Sequence, residues 1–281
     1  MSKAKDIILT TLAPIIWGTT FIVTEKLLPH GYPVTTSVLR ALPAGLLLIA
    51  LTRSIPYGIW LWRSFVLGAF NFAIFLVLLF NTAYRLPGGI ASTIGAIYPL
   101  VTVVLAWLML GQRLSLRNIL SGIAGLTGVA LMALNNTGAL DPVGVTTAVA
   151  SAVSLSFGLV LTKKWHPPVS ALAFTGWQMT AGGILLLPVA LWYEPALPAL
   201  NLKNITGFLY LGLIGGAVSY FLWFRGIAQL GPFIASSIGL VSTLTALIIG
   251  VFFAGETLTL PQMAGIALVI ASVWVASVAK K

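Results

Sequence analysis

The chain reads as long apolar runs separated by short breaks rich in polar residues, proline or glycine. A helix needs about 20 largely apolar residues to cross a bilayer. Ten runs reach that scale: 6–28, 34–52, 62–84, 88–110, 116–135, 142–162, 169–192, 205–227, 232–253 and 260–279. The breaks carry physical punctuation. "LLPHGYPV" and "KKWHPPV" stop helices with prolines, while "RLPGG", "NNTGALDP" and "QLGP" turn the chain. Loops this short force neighbouring helices antiparallel. The first run is preceded by Lys3 and Lys5 but lacks a suitably placed small-x-small cleavage site, so it reads as a retained helix. The pattern predicts an all-α membrane protein of ten transmembrane helices.

Composition agrees: 59% of the 281 residues are hydrophobic and 7% charged, against about 25% charged in soluble domains. The lipid bilayer is therefore the medium. A net charge of +10 would suggest nucleic acid in a soluble protein. Here the charges are scattered over the breaks and form no phosphate-binding face, so no nucleic-acid partner is expected. The chain has no cysteine, which excludes disulfides and thiolate metal sites, and no metal or other cofactor is implied. With the N-terminus inside, inner breaks hold Lys3, Lys5, Arg53, Arg63, Arg113, Arg117, Lys163, Lys164, Arg225, Lys280 and Lys281, and outer ones only Lys26, Arg85 and Lys203. That bias predicts cytoplasmic N- and C-termini.

"GGIASTIGAIYPL" at 88–100 returns as "PFIASSIGLVSTL" at 232–244, an offset of 144 positions. The opening run echoes the sixth, "IIWGTTFIV" against "LSFGLVLTK", and the second resembles the seventh. A boundary near Gly138–Asp141 then divides the chain into five-helix units 1–138 and 139–281. Five is odd, so the second unit enters the membrane from the opposite side. Such inverted repeats recur in transporters, with the substrate site near the midplane between the halves. Ala91 with Gly95, and Ala235 with Gly239, form small-x-x-x-small faces that allow close helix packing.

"GGIASTIGAIYPLVTVVLAWLMLGQRLS", its second copy "IASSIGLVSTLTALIIGVFFAGETLTL", and the opening "APIIWGTTFIVTEKLL" with "VLRALPAGLLL" resemble the drug/metabolite transporter superfamily, EamA type. The resemblance spans essentially the whole chain. It implies a ten-helix exporter of small metabolites in a bacterial inner (plasma) membrane, and more narrowly a likeness to the YddG-like aromatic amino acid exporters. One departure is Gln112, where the family often has glutamate after glycine; the second copy keeps Glu256.

Projected at about 100° per residue, run one presents Thr10, Trp17, Thr20 and Thr24 on one side, and run six presents Thr147, Ser151, Ser154 and Gly158. Run four presents Tyr98 and Thr102, and run nine Ser242 and Thr245. Asn71, Tyr220 and Trp223 add polar or aromatic groups at depth, and Trp177 with Gln178 either lines a site or joins helices. The candidate substrate-binding set is thus Trp17, Thr20, Asn71, Tyr98, Thr102, Ser154, Trp177, Tyr220 and Ser242. Aromatic residues normally gather at the membrane interfaces. Trp17 and Tyr98 lie near mid-span, where their polar tips need either a cavity or a partner inside the bundle. Trp60, Trp62, Trp165 and Trp192 sit near run ends and read as interfacial. Pro99 either kinks its helix to free a carbonyl for substrate or bends it statically. Arg40 is the one charge plainly inside a run, about 9 Å from its outer end. Three fates are open to it: snorkelling, a pair with Glu25, or attraction of a carboxylate.

No carboxylate lies near a midplane, which points to a uniporter for an amphipathic, zwitterionic or neutral cargo, amino acids above all. The cycle expected is alternating access, with one half-bundle closing on the other. Other readings are a proton-coupled exporter of drugs or other metabolites, and a non-transporting accessory membrane protein. An enzyme is disfavoured: there is no HExxH, no G-x-S-x-G and no midplane acid pair.

Overall fold

The computed structural model describes residues 3–111, 116–133, 140–165, 167–230, 238–239 and 241–277. Gln112, Arg113, Gly138, Ala235, Lys280 and Lys281, noted above, lie outside the described residues. Within them the regular structure is helical: α1 (Lys3–Gly18), α2 (Thr20–Leu27), α3 (Pro33–Thr52), α4 (Ile59–Gly68), α5 (Phe75–Ala83), α6 (Gly88–Gly95) and α7 (Tyr98–Leu110). There follow α8 (Leu116–Ala133), α9 (Pro142–Trp165), α10 (Ala171–Tyr193), α11 (Leu202–Leu209), α12 (Ser219–Leu230), α13 (Val241–Phe253) and α14 (Leu260–Ser277). Wider π-helical turns at Ala69–Ile74 and Tyr210–Val218 join α4 to α5 and α11 to α12.

Among the described residues seven helical stretches are long and apolar enough to cross a membrane: Ala4–Leu27, Pro33–Thr52, Ile59–Ala83, Gly88–Leu110, Pro142–Trp165, Ala171–Tyr193 and Leu202–Trp223. Shorter apolar helices, Ile119–Leu131, Val241–Phe253 and Leu260–Ser272, lie where the fifth, ninth and tenth runs were expected. The chain is a multi-pass membrane protein.

Two of the runs are broken. At Thr19 the backbone N–H and the hydroxyl both turn onto Ile16 O, at 3.2 and 2.7 Å, which tightens the turn and separates α1 from α2. The run 88–110 breaks at Ala96–Ile97 through three-residue turns, Ala96 N to Thr93 O and Ile97 N to Ile94 O. Pro99 therefore does not kink a continuous helix. It stands in the first turn of α7, where its missing N–H leaves no bond unmade.

α3 lies along α10, α14 along α8, and α1 against α12 and α13. One buried apolar cluster gathers Phe21, Ile90, Ile94, Ala148 and Val269, and another Leu48, Phe72, Phe80, Met179 and Leu211. Polar joints fix the helix ends. Glu194, just past α10, accepts Val34 N and Thr35 N at 2.7 Å each and so caps α3. Arg63 lies over the rings of Trp60 and Trp165 at 5.0 and 5.2 Å. Trp60 is buried, whereas Trp62 and Trp192 are exposed as interfacial residues should be.

Candidate functional site

Trp17, near the end of α1, points its indole toward the second π stretch. Its Nε1 donates to Ser219 Oγ at 2.8 Å and to Gly215 O at 3.2 Å. A π turn shifts the backbone ladder by one residue, and such turns recur at functional sites. Its ring meets Tyr220 at 5.2 Å and Trp223 at 5.3 Å, and Tyr220 meets Phe72 at 6.0 Å. These tilted contacts form a continuous aromatic wall.

Arg40 of α3 stands beside that wall and is only 7% exposed. Its Nη1 donates to Thr20 Oγ1 at 3.3 Å, and its guanidinium sits 5.8 Å from the centre of the Phe80 ring. Tyr210 and Tyr220 face it. Thr19 gives its own proton to Ile16 O, so the 2.8 Å contact between Thr19 Oγ1 and Tyr210 is donated by the tyrosine. The expected Arg40–Glu25 pair does not form: Glu25 binds its neighbour Lys26 at 2.8 Å. Adjacent side chains at the exposed end of α2 meet at a lower entropic cost than a pair reaching into the bundle.

Tyr98 faces Tyr220 and keeps 37% of its surface despite lying mid-run. Its carbonyl accepts Thr102 Oγ1 at 2.8 Å and Ser156 Oγ at 2.7 Å, which ties α7 to α9. Thr102 thus turns back on its own helix, as Ser242 does by donating to Gly239 O at 2.9 Å.

A second polar cluster sits on the first π stretch. Asn71 Nδ2 donates to Gln178 Oε1 at 2.6 Å, and Ser154 Oγ donates to Phe70 O at 2.7 Å. A Cβ at Gly158 would collide with Asn71 Oδ1, so only glycine lets α9 approach this closely. Trp177 belongs to neither cluster. It is 1% exposed, packs edge-on against Phe174 and Tyr57, and donates Nε1 to Ser54 O at 2.8 Å.

The structure therefore brings together Trp17, Thr20, Tyr98 and Tyr220, adds Arg40 to them, and sets Asn71 with Ser154 separately. The caps formed by Glu194 and Glu256 were not foreseen. Glu256 accepts Gly88 N at 2.6 Å and Gly89 N at 3.2 Å at the start of α6. It shares a small cleft with Glu25. Burial pushes the Glu256 carboxyl above the ordinary range, against the opposing pull of the Gly89 and Gly88 amides, and Glu25 adds to the rise. At the start of α9 the hydrogen bond from Arg85 and the Val143 amide hold Asp141 below the usual carboxylate range. Among the described residues no three His, Cys, Asp or Glu side chains gather to hold a metal.

The model of the EamA-like transporter family matches the chain twice, over residues 4–134 and 142–278. Protein PecM of Dickeya dadantii (strain 3937) is 40% identical over 272 residues, covering 96% of this chain and 91% of its own length. The transporter YvbV of Bacillus subtilis (strain 168) is 26% identical, with 97% and 92% covered. The inner membrane transporter YedA of Escherichia coli (strain K12) is 26% identical, with 95% and 88% covered. A solved crystal structure shares the fold at a TM-score of 0.67, with 19% identity over 98% of this chain and 97% of that one.

Proposed function

Because the chain belongs to the EamA-like transporter family, we propose that it exports small amphipathic metabolites, aromatic and other neutral amino acids above all. The family and several relatives are named as transporters; the cargo, direction and cycle are our reading. The protein works in a bacterial inner membrane, its ten helices forming two inverted five-helix repeats, 1–138 and 139–281, with both termini cytoplasmic. The double family match supports two tandem units. So do the π stretches: shifting Ala69–Ile74 by 144 positions lands inside Tyr210–Val218.

One observation carries the cargo assignment. The aromatic wall of Trp17, Tyr220 and Trp223 stands beside the hydroxyls and the cation of Thr20, Tyr210 and Arg40. A mostly apolar surface with a few convergent polar groups suits an amino acid carrying an apolar side chain. The lack of a carboxylate beside this cluster favours a uniporter, and the two repeats favour alternating access.

A second reading, proton-coupled export, has the Glu25–Glu256 cleft in its favour, since two carboxylates share it. Uptake of labelled phenylalanine, tryptophan and leucine into liposomes holding the purified protein separates the two. We expect saturable uptake, unchanged by an imposed pH gradient at zero potential. Flux that follows the gradient selects proton coupling. No flux of any amino acid removes the cargo assignment. Trp17→Ala should lower uptake about tenfold or more at unchanged expression, and normal uptake takes Trp17 off the site.

A further inference from the structure

We infer that Arg40 is the carboxylate-binding residue of the transport site, its counter-charge supplied by the cargo. This deepens the function proposed above and rests on it. The argument starts from charge balance. The chain has five acidic residues, and all five are engaged away from Arg40. Asp6 holds Arg225, Glu25 holds Lys26, and Asp141 holds Arg85, each at 2.8 Å. Glu194 caps α3, and Glu256 caps α6. No side chain remains to neutralise a guanidinium buried inside a membrane-spanning helix.

Such a charge is costly unless something binds it. Arg40 lies about 10 Å along α3 from Pro33, with its head group turned among Thr20, Phe80, Tyr210 and Tyr220. A guanidinium carries five N–H donors. Arg40 spends one, in a long 3.3 Å contact with Thr20. Its other donors have no partner among the described residues. The planar fork of two parallel N–H groups matches a carboxylate in bidentate fashion. Tyr220 joins that fork to the aromatic wall, so one cargo molecule can lay an apolar body on Trp17 and Tyr220 and reach Arg40 with its acid group. The chemical class is a small monocarboxylate with an aromatic or apolar body, with or without an amino group.

The test uses the full chain in detergent and reads the thermal shift against concentration of 3-phenylpropionate, phenylalanine, phenylalaninamide and phenethylamine. The two acids should stabilise the wild-type protein. The amide and the amine should bind on the order of 10- to 100-fold more weakly. Arg40→Gln should lose this preference, and Arg40→Lys, which keeps the charge without the fork, should retain part of it. The wild-type comparison stands even where a variant fails to fold. Equal binding of acid and amide, no binding of either acid, or full acid preference in Arg40→Gln overturns the assignment. Stabilisation by phosphatidylglycerol over phosphatidylcholine, with no response to the soluble acids, assigns the counter-charge to a lipid phosphate and overturns it too. If 3-phenylpropionate binds through Arg40 while phenylalanine neither binds nor moves into liposomes, the residue assignment stands and the amino acid cargo fails.

Discussion

The two buried polar clusters border the two π-helical stretches, and they are finished in opposite ways. Around Asn71 every element is neutral. Asn71 donates to Gln178, Gln178 donates to Phe174 O at 3.3 Å, and Ser154 to Phe70 O. Around Arg40 there is a full positive charge, one long hydrogen bond and a wall of rings. These neutral hydrogen bonds tie together the helices they join, though the buried Asn71 Oδ1 finds no partner. An unbalanced charge in a bilayer lowers stability and is kept only where something else requires it. The two clusters thus differ in charge: one leaves a neutral amide oxygen without a partner, the other a guanidinium without a counter-charge.

That contrast breaks first at Arg40. Arg40→Met removes a buried cation that has no partner carboxylate. Transport should fall by one to two orders of magnitude, on the order of 10- to 100-fold, while the melting temperature in detergent stays level or rises. A large drop in melting temperature would make Arg40 a structural residue. The reverse pattern is expected at the other cluster. Gly158→Ala pushes a methyl group into Asn71 and should cost about 1–3 kcal/mol of stability, read as a lowered melting temperature, with the substrate KM unchanged. Combining it with Asn71→Ala sharpens the point. The double variant should lose less than the sum of the single losses, because the smaller side chain makes room.

The smallest expected effect belongs to Glu256. Its pKa is raised in the folded protein, so the native state binds this proton more tightly than the unfolded chain does. Through this group alone, acidification favours the native state. Glu256→Gln cannot take up that proton. The wild-type melting temperature minus that of Glu256→Gln should therefore increase as pH is lowered from 7 toward 5. A constant difference would show that the carboxyl titrates as an ordinary glutamate.

Hydropathy and Pro/Gly punctuation were enough to read a multi-pass helical membrane protein. Pro33 opens α3, and the prolines after Lys164 separate α9 from α10. Helical projection put Trp17 and Thr20 on one side of the first run; Trp17 meets Ser219 and Thr20 meets Arg40. What it missed depends on partners far away in the chain. Trp17 meets Ser219 across 202 positions, and Trp177 reaches Ser54 across 123. Nothing local to Trp177 tells core from pathway. The breaks at Thr19 and Ala96–Ile97 arise from hydrogen bonds turning back three residues, within stretches whose hydropathy stays continuous. Arg40 and Glu25 look like partners on paper, but Lys26 is nearer and the bundle already encloses the arginine.

The cap that Glu194 places on α3 has a mechanical meaning. It rivets a helix of residues 33–52 to one of residues 171–193, so the joint crosses the middle of the chain. A cycle that rocked the two sequence halves as rigid blocks would shear this rivet at every turnover. The breaks after Gly18 and Gly95 lie outside this joint. The Glu194 cap and the long α3–α10 contact make one post out of helices that lie far apart in the sequence.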